Sequence, residues 1–278
     1  MKKIVFFLTL TATGFAASAQ TVKLKKGQVV TITSATSQDI DMGMGGQMTS
    51  NSKSTSVLEI KNTDKSNYQA VTKLSKLSMT MDAMGQSQSF DSEKPEDLQS
   101  EIGKAVGDKI GKEANVTIDN TTGKVTAEKA ATEDTDKKED DPMSGLMNMF
   151  GNTDNTAATA ESIIFILPAA KKAGDTWQDS SEVKNNSKIY KTYTLKSLQD
   201  GIATIALSSK SKGSFSTEAQ GMQMDIALDT KSEGEMIVDT KTSLLKKINR
   251  TVNVEGTLEV MGQSVPITSK ATEAIEIQ

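Results

Sequence analysis

The chain has 278 residues and a net charge of −4, and it contains neither cysteine nor histidine. These absences exclude disulfides, Ser-His-Asp and Cys-His catalysis, and metal sites built from His or Cys ligands. The acidic balance, without a basic stripe interleaved with aromatic residues, argues against nucleic-acid binding. Paired carboxylates, lysine or tyrosine could still support catalysis, but the sequence singles none out. We therefore expect a non-catalytic protein with no cofactor and no metal.

Residues 1–19 predict a cleavable secretory signal peptide. Two lysines precede the short apolar run at 4–10, and the Ala-Ser-Ala at 17–19 places the cleavage site before Gln20. The run is too short for a transmembrane helix, which needs about 20 apolar residues. No later segment is longer, and no cysteine is present for lipidation. We expect a soluble periplasmic or secreted protein with no membrane span.

Most of the remaining chain predicts β-strands, because apolar and polar residues alternate. Thr and Ser occupy many alternate positions, which we expect to lie on a solvated face. The predicted fold is mainly β, with antiparallel strands in a curved sheet, open barrel or sandwich. The clearest strand segments are 22–24, 29–33, 57–60, 68–77, 189–195, 202–207, 222–228, 248–254, 257–260 and 265–277.

Residues 95–112 predict one amphipathic helix packed on the sheet. Pro95 suits the first helical turn, and apolar residues then recur at helical spacing. Gly103, Gly107 and Gly111 repeat every four residues, which predicts close packing of this stripe against the sheet.

An acidic disordered insert is predicted at 127–160. Its acidic run, 133–141, lacks apolar residues and should be solvated and disordered. It separates an N-terminal β half, 20–126, from a C-terminal β half, 161–278. The apolar segment 163–167 is predicted to re-enter the fold as a strand.

The two halves share an order of similar segments, which indicates an internal duplication. The last of these pairs has the strand, Asp-containing turn and strand of a hairpin. Because unrelated strands also resemble one another, chance similarity stays an alternative. The matched segments are 26–30 with 173–177, 57–60 with 193–196, 68–74 with 201–207, and 118–125 with 238–245.

Methionine is the most conspicuous compositional bias, with 14 residues. Met79 and Met81, and likewise Met222 and Met224, alternate along predicted strands. They could be flexible core filler, line a cavity for a hydrophobic ligand, or capture Cu(I) through thioether sulfur. No dense Met-x-x-Met cluster supports copper. These four methionines are the candidate ligand-binding residues.

A motif midway through the chain resembles one in a known family. Pro168 leads into Gly-Asp-Thr-Trp at 174–177, and the turn at 119–123 and the Lys-Gly-Gln at 26–28 also match. The chain resembles an uncharacterised family of exported and lipoprotein-type Bacteroidota proteins, a domain of unknown function. Ala173 stands where that family usually has a Val-x pattern, and the lipobox Cys is missing. The resemblance implies no activity and no site residues.

Two functions follow as expectations. The first is an envelope protein that binds a hydrophobic or amphipathic ligand in a sheet-lined cavity, and the alternative is a structural or interaction protein with a filled core. A long curved sheet with one helix is also similar to periplasmic lipid and lipoprotein carriers of the open-barrel type. The expected partner is a hydrophobic ligand or another envelope protein.

Overall fold

The computed structural model describes residues 20–43, 46–83, 85–127, 156–183, 187–219, 222–260 and 262–278. The predicted signal peptide and the acidic run at 133–141 lie outside the described residues. Within the described part, no helix is long and apolar enough to cross a membrane.

Twelve strands form one antiparallel sheet. Their bounds are Val29–Asp41 (β1), Gln47–Thr63 (β2), Asn67–Ala83 (β3), Gln86–Asp91 (β4), Glu113–Asp119 (β5), Val125–Ala127 (β6), Thr176–Val183 (β7), Ser187–Gln199 (β8), Ile202–Ala219 (β9), Met222–Asp239 (β10), Leu244–Val260 (β11) and Gln263–Ile277 (β12).

The strand order is β6-β5-β3-β2-β1-β12-β11-β10-β9-β8-β7, and β4 pairs with β3 beside this path. Strands β1 and β12 pair from Ile32 opposite Ile277 to Asp41 opposite Thr268, and this ladder joins the two halves. The sheet stays open, with β6 and β7 at its two ends. The prediction of a mainly β fold with a curved antiparallel sheet is confirmed.

One face of the sheet carries the main core, and we call it the inner face. In β1, Val30, Ile32 and Ile40 are buried while their alternate neighbours are largely exposed. Strands from both ends of the sheet contribute to the same cluster, so the sheet must curve strongly around it. The cluster includes Leu58, Ile60, Val116, Ile118, Leu195, Ile205, Met236, Val238 and Ile248.

Two segments outside the strands close one end of this core. Val22 N donates to Asn120 O (2.8 Å), and Phe165 N donates to Ser243 O (2.9 Å). The helix Thr156–Ser162 (α2, with α1 described below) precedes the fully buried Ile163. The prediction of disorder throughout 127–160 is therefore wrong for 156–160 and for Ala127, which ends β6.

The predicted strand at 163–167 is also wrong. This segment makes a single bridge, between Ile164 and Leu244, and is otherwise outside the sheet. Ile163 and Leu167 are buried in the main core, so their apolar character reflects plugging of the core end rather than ladder pairing.

The helix predicted at 95–112 is helical only in short pieces. The α-helix Glu101–Val106 (α1) lies between the 3₁₀ turns Asp97–Gln99 and Gly107–Lys109. Ser100 caps α1 by accepting from Gly103 N at 3.0 Å. Ile102 and Val106 pack against Leu77 and Phe90, which confirms that the helix lies on the sheet.

The glycine stripe has another cause than the predicted one. A Cβ at Gly103 would lie 2.2 Å from Asp97 O, so the close approach is to the preceding 3₁₀ turn and not to the sheet. Gly107 faces Leu98 Cδ2 at 3.6 Å, while nothing lies within 4 Å of a Cβ at Gly111. Each glycine weakens a helix by up to about 1 kcal/mol, and the segment is helical only in short pieces: α1 ends directly before Gly107, and Gly111 has a positive φ of 77°.

Hydrogen bonds at the strand starts support the internal duplication. Gly27 N donates to Ile60 O (2.8 Å), and Ile60 N donates to Gln28 O (2.9 Å). In the second half, Gly174 N donates to Leu195 O (2.7 Å), and Leu195 N donates to the carbonyl of the next residue, Asp175 (3.0 Å). Both ladders then shift register immediately after Ile60 and after Leu195.

The hairpin turns repeat as well. Asp119 and Asp239 each accept a bond from the backbone N two residues later through Oδ1. Gly123 and Ser243 hold the same place in these turns with φ of 71° and 62°. The predicted pairing of 118–125 with 238–245 therefore holds.

The middle alignments need correction. Their hydrogen bonds match Ile60 to Leu195 rather than to Lys196, a shift of one residue. Asn67 opposite Asp119 corresponds to Ile202 opposite Asp239, which shifts the 68–74 alignment by two residues. Sequence similarity could not fix the two-residue shift, because an alternating pattern repeats after two residues.

Candidate functional site

The candidate methionines do not assemble one site. Met79 packs against the α1 cluster and also borders a cavity of about 370 Å³ beside β4. Met81 packs against a different cluster, formed by Ile40, Met48 and Ile267. Thus the two side chains mainly fill space between buried residues.

The other two candidate methionines lie in β10, five strands away from β3 along the sheet. Met222 pairs with Ala219, and Met224 pairs with Thr217 and Val260. For these residues the structure describes the backbone pairing.

Hydroxyl residues occupy both faces of the sheet, including part of the inner face. In β2, Ser50, Ser52 and Ser54 alternate in phase with the buried Met48 and Leu58. They are half-buried, whereas the intervening positions 51 and 53 are exposed. Alternation in the sequence reveals two faces, but it does not tell which face a polar residue takes when part of the inner face is polar.

A row of side chains crosses the middle of this face, and we call it the Arg250 row. Its members are neighbours on successive strands β9, β10, β11, β12, β1 and β2: Leu207, Gly234, Arg250, Glu273, Thr36 and Ser52. All but Leu207 line a cavity of about 580 Å³, whose lining also includes residues adjacent to them in each strand. The volume falls within the range of ligand sites, about 300–1,000 Å³.

Arg250 and Glu273 form an ion pair in this row. Arg250 Nε donates to Glu273 Oε2, and the two residues are directly opposite on β11 and β12. Their side chains are 37% and 18% exposed, so the pair is only partly solvated. The bond occupies one of the five N–H donors of the guanidinium and one of the two carboxylate oxygens, which leaves both groups able to bind a second partner.

Gly234 gives the arginine its place. It lies opposite Arg250 on β10, where a Cβ would come within 2.6 Å of Arg250 Cβ and 2.3 Å of Asn249 O. Any larger residue at 234 would push β10 and β11 apart or displace Arg250. The local sequence thus combines a large charged residue with the one neighbour that can accommodate it.

A buried hydroxyl lies one row away from the Arg250 row. Ser232, two residues before Gly234 on the same face, is 5% exposed, and its Oγ has no hydrogen-bond partner among the described residues. Thr72 Oγ1, on β3, is in the same situation. A buried hydroxyl without a partner is unfavourable and calls for a structural or functional reason.

Apolar side chains flank the polar rows on both sides. Met236 and Ile248 lie two residues from the Arg250 row in their strands and belong to the main core. In the other direction, the cluster of Ile40, Met48 and Ile267 lies four to six residues away along the strands, or roughly 13–20 Å. The inner face is therefore divided into apolar, polar and apolar bands.

Aromatic residues lie near the end of the Arg250 row. Tyr193 is opposite Leu207, and its ring stacks on Trp177 with centroids 5.4 Å apart. Phe165 packs against the same ring at 5.3 Å. Burial, together with the charge of Asp179, raises the pKa of Tyr193 to about 12, so its hydroxyl stays neutral at ordinary pH.

The carboxylates with lowered pKa have structural roles. Backbone amides of Ser66 and Asn67 lower the pKa of Asp64, and backbone and side-chain bonds from Thr122 lower that of Asp119. Both aspartates cap turns at hairpin ends. Among the described residues, no group of three or more acidic side chains is placed to hold a metal ion.

Sequence reasoning missed the Arg250 row. One signal was present, because Arg250 is the only arginine in a chain that otherwise uses lysine for its positive charge. Arginine binds carboxylate and phosphate groups through a planar fork that lysine lacks. Its place beside Glu273 and Gly234 depends on pairing between three strands, which the sequence does not reveal.

Comparisons with solved structures give only distant likenesses. A lipovitellin structure concerned with lipid–protein interactions matches with 9% identity and a TM-score of 0.48, over 92% of this chain and 26% of that chain. This chain thus spans about a quarter of the length of the lipovitellin chain. An outer membrane channel from Pseudomonas putida F1 matches with 8% identity and a TM-score of 0.21, over 92% of this chain and 97% of that one. None of these likenesses carries a functional argument.

Sequence comparisons identify the family. No curated protein sequence matches the chain. A family model described as a family of unknown function, DUF6263, matches residues 65–245. The match runs from the β2–β3 turn through β6 to the start of β11, and so includes parts of both duplicated halves. The chain belongs to the DUF6263 family.

Proposed function

We propose that the protein is an exported, non-catalytic binding protein that holds an amphipathic ligand along the inner face of its sheet. The observation that carries the proposal is the banded inner face, where the Arg250 row lies between two apolar bands. A filled core would favour apolar residues across this face, because buried hydroxyls and charges are costly without partners. A molecule with a polar group and an apolar chain matches the bands.

The predicted export signal supports a role in the envelope. With residues 1–19 as a cleavable signal peptide, the mature protein would act in the periplasm or outside the cell. There, a curved sheet could shield the apolar part of a ligand from water. The proposal assigns no catalytic group, since the ion pair of Arg250 and Glu273 acts as a binding element.

The rival function is structural, with a filled core and a protein partner. The packing of Met79 and Met81 against buried clusters favours it, because these methionines then serve as packing residues rather than as ligand contacts. The two proposals differ in whether a small molecule accompanies the native protein.

Native mass spectrometry of the protein purified from its own envelope separates them. The ligand proposal predicts added mass on a defined fraction of molecules, and organic extraction should release an amphiphile of that mass. A uniform apo mass, together with an extract free of amphiphiles, would contradict ligand binding and favour the structural role.

A further inference from the structure

We infer that the Arg250 row selects a zwitterionic headgroup, with an anionic oxygen group on Arg250 and an ammonium group on Glu273. The inference rests on the proposed function and names the chemical class of its ligand. A phospholipid whose head joins a phosphate to a primary amine has this chemistry.

The charge of the site favours a zwitterion. Arg250 and Glu273 together are neutral, and one hydrogen bond, from Nε to Oε2, joins them. A purely anionic group bound by the arginine would lie beside the carboxylate and be repelled by it. A zwitterion avoids this repulsion because its positive group can approach Glu273.

The hydrogen-bonding capacity of the row also suits a zwitterion. The terminal amino groups of a guanidinium can bind two phosphate oxygens in parallel, a geometry that lysine cannot offer. The second carboxylate oxygen of Glu273 can accept from an ammonium group. Thr36 and Ser52 continue the row with hydroxyl groups, which can donate to phosphate oxygens or accept from the amine.

The partial burial of the pair strengthens its bonds to a charged headgroup. Glu273 is only 18% exposed at its side chain, and burial strengthens charge-assisted bonds relative to those in water. The apolar cluster of Ile40, Met48 and Ile267 lies roughly 13–20 Å along the strands, where an acyl chain from the same headgroup could reach. Headgroup and chain are thus served by adjacent bands.

A matched control pair lies on the same two strands. Lys247 Nζ and Glu276 Oε1 are 2.7 Å apart, and both residues are directly opposite on β11 and β12. Each lies three residues from Arg250 or Glu273 along its strand. Side chains an odd number of residues apart point to opposite faces of a sheet, so Lys247 and Glu276 lie on the outer face. Removing their charges changes the net charge as in the site without touching the inner face.

The test compares three amphiphiles with the same acyl chain, each below its micelle-forming concentration: lysophosphatidylethanolamine, lysophosphatidylglycerol and monoacylglycerol. Isothermal titration calorimetry on the full mature protein should show the zwitterionic lipid binding at least about tenfold more tightly than the other two. Glu273→Gln should abolish the preference over the anionic lipid, and Arg250→Lys should weaken both phospholipids. Glu276→Gln should leave all three affinities unchanged.

The outcomes are distinguishable. Equal binding of the three lipids, or tighter binding of the anionic one, would overturn the headgroup inference while the amphiphile proposal stands. Binding of none of them would contradict the proposed function itself. Competition by free phosphoethanolamine as strong as by the lipid would replace the lipid with a soluble zwitterion. Circular dichroism and urea unfolding establish that each variant is folded before it is titrated.

Discussion

Truncation of one buried residue in each half tests whether the duplicated halves share one folding unit. Ile60 and Leu195 are equivalent by their hydrogen bonds, are both fully buried, and contribute to the same core. Ile60→Ala and Leu195→Ala each remove several buried carbon atoms. Large-to-small substitutions of this kind lower the free energy of unfolding by about 2–5 kcal/mol.

The expected shift is measurable in urea. A loss of about 3 kcal/mol, with an m-value near 3 kcal/mol per molar, lowers the unfolding midpoint by about 1 M. Trp177 is the only tryptophan and lies in the second half, so its fluorescence reports on that half alone. Circular dichroism of the strands reports on both halves.

One shared core predicts that Ile60→Ala, in the first half, moves the Trp177 transition as far as the circular dichroism transition. Val29→Ala is the matched control, because this apolar side chain is 55% exposed and its loss should change stability by less than about 0.5 kcal/mol. A Trp177 transition that keeps the wild-type midpoint in Ile60→Ala would refute the reasoning and show two independent domains.

Three further results are expected. Gly123→Ala should lower the free energy of unfolding more than Gly174→Ala does, by about 1–3 kcal/mol of overpacking. Both glycines have positive φ, but only a Cβ at 123 would meet another side chain, Ile164 Cγ2 at 2.7 Å. Equal urea midpoints for the two variants would contradict this. The pKa values of Asp64, Asp119 and Glu276 are lowered on folding, so their stabilisation is present above their ordinary pKa range and lost as pH falls through the lower folded values; Asp119→Asn should flatten this acid dependence of the urea midpoint, and an unchanged slope would count against it. The pKa of Tyr193 is raised to about 12, so stability should fall as pH rises from about 10 towards 12; Asp179→Asn should lower that pKa in an ultraviolet titration, and a Tyr193 that ionises like free tyrosine would contradict its burial.

The strands were predictable because their pattern is local. Alternation in β1, with Val30 and Ile32 inward, identifies both the element and its buried face. The turn at Asp119 was also visible, since an aspartate that binds the following backbone amides and a glycine with positive φ have a recognisable sequence. Such signals depend on a few consecutive residues.

The site was not predictable, because it depends on the order of strands. Arg250 and Glu273 are adjacent only because β11 pairs with β12, and Thr36 joins them only because β12 also pairs with β1. The inner position of Ser52 could not be read from its polarity, which by itself favours solvent. Methionine drew attention by its abundance, yet Met79 and Met81 serve mainly as packing residues.

The most direct test of the central claim is a pair of single-cysteine variants labelled with an environment-sensitive fluorophore. The chain contains no cysteine, so Ser52→Cys places the only label on the inner face, and Lys53→Cys places it one residue away on the outer face. With lysophosphatidylethanolamine added below its micelle-forming concentration, we expect a blue-shifted emission at position 52 and none at position 53. An unchanged spectrum at position 52, or an equal shift at both positions, would contradict binding along the inner face.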